Sequence, residues 1–89
     1  MRLDKFLKIS RIVKRREIAK KLCDDGDIFV NSKVAKPSTE IKPLDELFLI
    51  LGRHRIKVKV LEVREFASKA DSKAMFEILE DKIVEDEQC

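Results

Sequence analysis

Residues 1–36 read MRLDKFLKISRIVKRREIAKKLCDDGDIFVNSKVAK, and along this stretch the apolar side chains change from helical spacing to strand-like alternation. Leu3, Phe6 and Leu7 occupy one face of a helix, at positions i, i+3 and i+4. This spacing predicts a first helix over residues 3–12. Asp4 lies near its start, where a carboxylate suits the positive end of the helix dipole.

A second helix is predicted over residues 14–24. Its apolar stripe is formed by four side chains: Ile18, Ala19, Leu22 and Cys23. Gly26 follows at the place where a helix end commonly takes a positive φ. No Ser, Thr, Asn or Asp is placed to cap the start of this helix, so the sequence defines that boundary poorly.

Beyond Gly26 the sequence predicts short strands separated by turns. The predicted strands span residues 28–30, 34–36, 46–51 and 56–64. Turns are expected at Asn31-Ser32-Lys33, at residues 42–45 and at Gly52-Arg-His-Arg55. Two adjacent strands joined by the last of these turns indicate an antiparallel hairpin.

The C-terminal part is predicted to be a helix followed by an acidic tail. Ser68 and Asp71 have the spacing of a capping box. Apolar residues then continue at helical spacing: Ala67, Ala70, Ala74, Met75, Ile78 and Leu79. Residues 81–89 are acidic, and we expect them to be mobile. We therefore divide the chain into a folded unit at 1–66 and a C-terminal helix with its tail at 67–89.

Charge is distributed unevenly along the chain. Residues 1–36 hold eleven lysines and arginines against five acids, a net charge of +6. Residues 37–65 carry a net charge of +1 and residues 66–89 a net charge of −4, so the total of +3 conceals a polarised molecule. A basic half on a small domain points to a polyanionic partner, most often nucleic acid.

Several other classes of function find no support in the sequence. The apolar runs are too short for a membrane helix, and the two cysteines suggest neither a disulfide framework nor a metal site. Asp24-Asp-Gly-Asp27 lacks the ligand spacing of a calcium loop and is read as a helix-ending turn. His54, the single histidine, has no nucleophile or carboxylate identified as its partner. We therefore expect no enzyme, no cofactor, no metal and no membrane association, and a cytoplasmic protein.

The basic side chains of the two predicted helices are the candidate binding surface. Lys5, Lys8 and Arg11 are spaced three apart on the first helix, and Arg16 and Lys20 are i,i+4 neighbours on the second. Planar guanidinium groups suit phosphate because they donate two parallel hydrogen bonds. Phe29, Phe48 and Phe66 could stack on bases. Phe6 and Phe48 are expected on core faces, and Phe29 stays open as a stacking residue.

The order of several short motifs resembles the S-four domain, the RNA-binding domain named after ribosomal small-subunit protein four. The motifs are Arg2-Leu-Asp-Lys-Phe-Leu7, Ser10-Arg11, Arg15-Arg-Glu-Ile-Ala19, Gly26-x-Ile28-x-Val-Asn31, Ala35-Lys-Pro-Ser38 and Lys42-Pro-x-Asp45. The match covers about residues 1–50. It implies an α+β fold in which two N-terminal helices pack on a small bent antiparallel sheet, here with a short C-terminal helix added.

The resemblance also implies a function. The chain is similar to the small bacterial members related to heat-shock protein fifteen, and closest to the group of the ribosome-associated quality-control P protein. That group is implied to bind large ribosomal subunits that carry a stalled peptidyl-tRNA, contacting ribosomal RNA and tRNA. It is implied to assist alanine tailing of the stalled peptide by a partner factor without being an enzyme. We expect the chain to act as a monomer.

Two departures from the family pattern affect turns. Ser32 stands where glycine is frequent, and Leu44 stands in the Lys-Pro-x-Asp turn where glycine is common. A type II turn would need a positive φ at Leu44, so the sequence favours a type I turn there.

The candidate RNA-binding residues come from the two helices and the loop that follows them. They are Arg2, Lys5, Lys8, Arg11, Lys14, Arg15, Arg16, Lys20, Asn31 and Lys33. Alternatives remain open: a ribosome-assembly or heat-shock-type RNA-binding factor, a helix-pair DNA binder, or a protein adaptor that binds through the acidic tail. Whether Arg53-His54-Arg55 contacts RNA or protein also stays open.

Overall fold

The computed structural model describes residues 1–84 and shows an α+β fold. The elements in chain order are α1 (Leu3–Ile9), α2 (Arg16–Asp24), β1 (Ile28–Val30), β2 (Lys33–Val34), β3 (Glu46–Leu51), β4 (His54–Val60), α3 (Lys69–Ser72), a 3-10 turn (Lys73–Met75) and β5 (Phe76–Ile83). The strands form one antiparallel sheet in the order β2-β1-β3-β4-β5. No helix within residues 1–84 is long and apolar enough to cross a membrane.

The core lies between the helices and one face of the sheet. Leu3, Phe6 and Leu7 of α1 are fully buried, as their spacing predicts. Alternate residues of the strands bury their side chains against them, because successive strand residues point to opposite faces. The remaining buried apolar side chains come from every layer: Val13, Ala19, Cys23, Ile28, Ala35, Ile41, Leu47, Leu49, Val58, Val60 and Met75.

The first helix is shorter than the predicted span of residues 3–12. It ends at Ile9, with Ser10 as its C-cap, and Arg11 adopts a φ of 65°. The Arg11 amide donates to the Lys8 carbonyl, as a residue just past a helix end does. The prediction that Arg11 shares a helix face with Lys5 and Lys8 is therefore wrong. The left-handed conformation at Arg11 stops the helix before that third position.

The second helix ends as its sequence predicts. Gly26 has a φ of 77°, its amide donates to the Cys23 carbonyl, and the Asp27 amide donates to the Leu22 carbonyl. This pair of hydrogen bonds is a Schellman motif, which satisfies two carbonyls at the helix end. At the other end Arg15 is the N-cap and no side chain caps the helix.

Phe48 does not lie in the core. Leu47 and Leu49 are the buried residues of β3, so Phe48 points to the opposite face of the sheet. There it pairs with Phe29 of β1, with ring centroids 5.9 Å apart and planes inclined by 54°. The expectation of a core Phe48 was wrong because an uninterrupted apolar strand does not show which of its two faces is buried.

Two turns place non-glycine residues in the left-handed region. Asn31 and Ser32 have φ values of 50° and 73° and form the two-residue loop between β1 and β2. Leu44 has a φ of 78° after Pro43, and the Asp45 amide donates to the Lys42 carbonyl. This geometry is a type II turn, so the prediction of a type I turn was wrong.

The C-terminal part contains a strand where the sequence favours a helix. The predicted cap is present, since Ser68 Oγ accepts a hydrogen bond from the Asp71 amide. However, α3 ends at Ser72, and residues from Phe76 onward pair with β4 as the edge strand β5. The helical spacing of Ile78 and Leu79 misleads because the free edge of β4 offers backbone partners that a local pattern cannot reveal. The tail was predicted to be mobile from Asp81, but residues 81–83 belong to β5, so that part of the prediction was wrong. Residues 85–89 of the predicted tail lie outside the described residues.

Cys23 is buried at the end of α2, in agreement with its place on the predicted apolar stripe. Burial raises the pKa of its thiol to about 11, and the nearby Asp24 and Asp4 charges act in the same direction. A thiol with such a pKa stays protonated near neutral pH and is a poor nucleophile.

Candidate nucleic-acid interface

A buried carboxylate joins the two helices at the centre of the predicted basic surface. The Asp4 side chain is 0% exposed and accepts hydrogen bonds from two arginines. Arg2 donates through Nε and Nη2, both at 3.2 Å, and Arg16 donates through Nη2 at 3.1 Å. The start of α2 is thereby fastened to the start of α1.

The electrostatics of Asp4 follow from this geometry. Burial alone would raise the pKa of its carboxyl group. The hydrogen bonds from Arg16 and Arg2, together with their charges, outweigh burial and hold the pKa of Asp4 below its ordinary value of 3.8. The carboxylate is therefore ionised at neutral pH and keeps both guanidinium groups in place.

The two guanidinium groups remain available to a ligand. Their side chains are 49% exposed for Arg2 and 44% exposed for Arg16. A guanidinium has five N–H donors, and neither arginine uses its Nη1 group on Asp4. Asp4 therefore fixes the orientation of two half-exposed guanidinium groups and leaves some of their N–H donors free. These donors are preorganised to bind phosphate oxygens.

The loop of residues 37–39 positions the start of α1. The amides of Leu3 and Asp4 donate to the carbonyls of Thr39 and Pro37. Thr39 Oγ1 in turn accepts from the Lys36 amide at 2.8 Å. These contacts satisfy amides at a helix start that has no side-chain cap, so the loop sets where Arg2 and Asp4 lie.

Most of the predicted basic residues have no acidic partner in the part of the chain that the structure describes. Six are exposed and make no ion pair within residues 1–84: Lys8, Arg11, Lys14, Arg15, Lys20 and Lys33. Lys5 differs, because its Nζ pairs with the exposed carboxylate of Glu65 and lowers the pKa of that group. The uncompensated cations lie on α1, on α2, in the loop between these helices and at the start of β2.

Asn31 has a structural task in the loop after the helices. Its Nδ2 donates to Asp45 at 3.1 Å, and its Oδ1 accepts from the Glu46 amide at 3.0 Å. Asp45 also accepts from the Lys42 amide at 3.0 Å. Burial would raise the pKa of Asp45, but the hydrogen bonds from Asn31 and Lys42 hold it below its ordinary value. The role of Asn31 as an RNA contact stays a prediction, whereas Lys33 is exposed beside it.

The hairpin tip is a separate polar feature. His54 Nδ1 lies 3.7 Å from Asp81 Oδ1, with both side chains about half-exposed. Arg55 donates to the Gly52 carbonyl at 2.8 Å, while Arg53 is exposed. In the described part of the chain no cluster of three metal-ligating side chains forms, at this tip or around Asp24–Asp27.

Asp4 and Asp45 are the site residues that the sequence reasoning missed. Both are buried acids, and each is hydrogen-bonded to polar partners that are distant or separate in the sequence: Arg2 and Arg16 for Asp4, Asn31 for Asp45. A signal was present, because each acid lies inside one of the motifs that carried the family resemblance. Their role depends on how close two helices lie, for Asp4, or two turns, for Asp45. The sequence alone does not show these distances.

The sequence profile of the S4 domain matches residues 1–47. The RQC P-site tRNA stabilizing factor of Streptococcus pneumoniae is 45% identical over 86 residues, covering 97% of this chain and 98% of its own length. The factor of the same name from Bacillus subtilis is 43% identical and covers 92% of this chain and 95% of its own length. The chain belongs to this family of S4-domain proteins.

Solved structures agree with the fold. The trimeric structure of heat shock protein 15 from Vibrio cholerae superposes with a TM-score of 0.81 at 22% identity, covering 88% of this chain and 80% of that one. The solution structure of a hypothetical protein gives a TM-score of 0.77 at 27% identity, covering 92% of this chain and all of the other. The α+β fold expected from the S-four resemblance is confirmed. The basic residues at positions 2–33 all lie within the matched S4 domain.

Proposed function

We propose that this chain is a non-catalytic RNA-binding protein of the large ribosomal subunit, where it stabilises a peptidyl-tRNA in the P site. The names of its relatives support the tRNA and the P site. The observation on which the proposal rests is the pair of arginines, Arg2 and Arg16, held half-exposed on the buried Asp4 carboxylate. A cytoplasmic location follows from action on ribosomes.

The contacts in this proposal are mainly to phosphates and sugars. Arg2 and Arg16 present fixed donors, and Lys5 adds a cation that is paired with Glu65. The exposed cations around them add mobile charge: Lys8, Arg11, Lys14, Arg15, Lys20 and Lys33. The deep, narrow major groove of A-form RNA excludes side chains, so recognition relies on backbone shape and 2′-hydroxyls. Asn31 contributes indirectly by fixing the loop that precedes Lys33.

The partners and assembly state complete the proposal. We propose that the chain contacts large-subunit ribosomal RNA and the tRNA together, and thereby assists a tailing factor that extends the stalled peptide. We propose that it does so as a monomer. The mass of the chain in solution, measured by light scattering, tests the last point, and a trimer would overturn it.

The salt dependence of binding tests the contact surface. Each phosphate contact that a cation makes adds about 0.9 to the slope of log affinity against log salt on duplexes, or about 0.7 on single strands. Arg16→Ala should weaken binding to structured ribosomal RNA and reduce that slope by about 1. Arg64→Ala is the matched control, since Arg64 is 41% exposed and also paired with acids, Glu62 and Asp71. Equal slopes for the two variants would exclude Arg16 from the interface.

Competition between structured RNA and duplex DNA of matched length distinguishes the proposed RNA-binding function from the alternative of DNA binding. A helix-pair DNA reader discriminates base edges in the major groove, whereas the surface proposed here prefers structured RNA over DNA of any sequence. Stronger competition by DNA than by RNA would overturn the proposed function.

A further inference from the structure

The outer face of the sheet contains a concave pocket next to the loop between β1 and β2. Its volume is about 340 Å³, and Phe29 and Phe48 are among the residues that line it. These residues are direct cross-strand partners, and both are only half-buried. A pocket of this volume lies at the lower end of the range for small-ligand sites, roughly 300–1,000 Å³. Its size and its two aromatic lining residues suit one flat ring system.

Charge around the pocket does not attract a phosphate group. The lining contains one ammonium, from Lys57, and two carboxylates, from Glu46 and Glu80, and with Lys82, which pairs with Glu80, the four charges sum to zero. Lys57 Nζ lies 3.5 Å from Glu46 Oε1, and Glu80 Oε2 lies 3.0 Å from Lys82 Nζ. Each carboxylate keeps its other oxygen free of these pairings. The rim therefore offers hydrogen-bond acceptors to a neutral ligand with N–H donors.

We infer that this pocket binds one unpaired nucleobase of an RNA, stacked on the ring of Phe29 or Phe48 and packed against the other, with its amino group donating to Glu46 or Glu80. The inference rests on the proposed RNA-binding function and extends it to a second surface. Unpaired bases commonly stack on aromatic side chains and expose their Watson–Crick edges to polar groups. Guanine, adenine and cytosine carry an exocyclic amino group and uracil does not, so the pocket prefers the first three over uracil.

The surroundings favour RNA over a protein segment as the occupant. Asn31 lines the pocket and belongs to the two-residue loop that precedes the exposed Lys33 of β2. A base in the pocket thus places its own phosphate near a cation of the S4 domain. One RNA would then contact the chain at two surfaces. The basic surface binds its phosphate backbone, and the pocket binds one of its bases.

The test uses three fluorescent single-stranded RNAs that differ only at their central nucleotide: guanosine, uridine or an abasic site. The full chain is titrated against each RNA at one low salt concentration. Guanosine should bind at least about fivefold more tightly than the abasic RNA, the lower end of what one stacked base contributes, and uridine should lie between them. The double variant Phe29→Leu with Phe48→Leu should remove the difference, while Phe29→Tyr with Phe48→Tyr should keep it.

The outcomes separate this inference from the proposed function. Arg16→Ala should weaken all three RNAs alike and leave their ratio unchanged. Equal affinities of the wild-type chain for the three RNAs, the result expected if the pocket holds a protein segment, would overturn the inference. A ratio that persists in the leucine variant would also overturn it. If the proposed function itself is wrong, all three RNAs bind weakly and Arg16→Ala has no effect.

A second measurement applies if the leucine variant does not fold. Guanosine monophosphate and ribose phosphate are titrated separately into the isotope-labelled wild-type chain, and amide chemical shifts are followed. Guanosine monophosphate should move the amides of Phe48 and Lys57, and ribose phosphate should not. Equal shifts with both compounds, or none with either, would overturn the inference.

Discussion

The Arg16 guanidinium donates a 3.1 Å hydrogen bond to the carboxylate of Asp4, a side chain with no exposed surface. This single contact links the first turn of α2 to the first turn of α1. Arg2 completes the arrangement from the residue before α1. One acid thus serves both the packing of two helices and the placement of two phosphate donors.

Removing the charge of Asp4 should weaken the fold. Asp4→Asn replaces charge-assisted hydrogen bonds to two arginines with neutral ones, and we expect a loss of about 2 kcal/mol in the free energy of unfolding. Urea denaturation at neutral pH measures it. Asp25→Asn is the control, because Asp25 is exposed and, within residues 1–84, its one ion pair is with Lys21 at 3.4 Å, so its loss should be below about 0.5 kcal/mol. Equal effects of the two changes would contradict the role assigned to Asp4.

Stability should fall in acid through Asp4 and Asp45. The pKa of each carboxyl group is lower in the folded chain than its ordinary value of 3.8. The unfolded chain therefore takes up protons first as the pH falls, and the stabilisation present above that value is lost as the pH drops through the folded pKa. Denaturation series between pH 6 and pH 2 should show a flatter profile for Asp4→Asn with Asp45→Asn than for the wild type. If the stability of the double variant fell with pH in parallel with that of the wild type, Asp4 and Asp45 would be excluded as the source of the acid sensitivity.

Arg11 should show opposite effects on stability and on binding. Its φ of 65° is unfavourable for a side chain and free for glycine. Arg11→Gly should therefore raise the free energy of unfolding by about 0.5 kcal/mol while weakening RNA binding, because it removes an exposed cation. Thermal denaturation and RNA titration of the same variant measure both. A variant that gains stability and binds RNA as the wild type does would remove Arg11 from the interface.

Leu44 is strained without any predicted role in binding. It is 71% exposed at a φ of 78°, so Leu44→Gly removes backbone strain with little loss of buried surface. We expect a gain of about 0.5 kcal/mol and unchanged RNA affinity. Ser38→Gly is the control at an exposed position without positive φ, and it should lose stability. A loss at both positions would mean that the Leu44 turn is not strained.

The acidic C-terminus should limit indiscriminate RNA binding. Glu85, Asp86 and Glu87 lie outside the described residues, but their charges follow from the sequence. A chain shortened after Val84 keeps all of β5 and should bind random RNA more tightly, because repulsion of phosphates is reduced. Unchanged affinity for random RNA would contradict this role. Loss of specific binding would favour the adaptor alternative instead.

The sequence predicts those features of the fold that depend on local patterns. Leu3, Phe6 and Leu7 indicate α1, Gly26 marks the end of α2, and Ser68 caps α3. Features set by distant partners are predicted poorly. Phe48 belongs to an apolar strand whose buried face is chosen by the helices, and β5 forms because β4 presents a free edge.

The candidate site follows the same division. The sequence alone identifies the basic residues of the site, because the charge of a lysine or arginine follows from its residue type and not from the fold. The sequence does not show which cations are fixed and which are mobile. That distinction depends on Asp4, whose side chain reaches Arg16 twelve residues away.

Co-sedimentation with purified large ribosomal subunits that carry a P-site tRNA tests the central proposal most directly. The wild-type chain and Arg64→Ala should travel with these subunits and not with small subunits. Arg16→Ala should remain largely at the top of the gradient. Co-sedimentation of Arg16→Ala at the wild-type level, or absence of the wild-type chain from large subunits, would contradict the proposal.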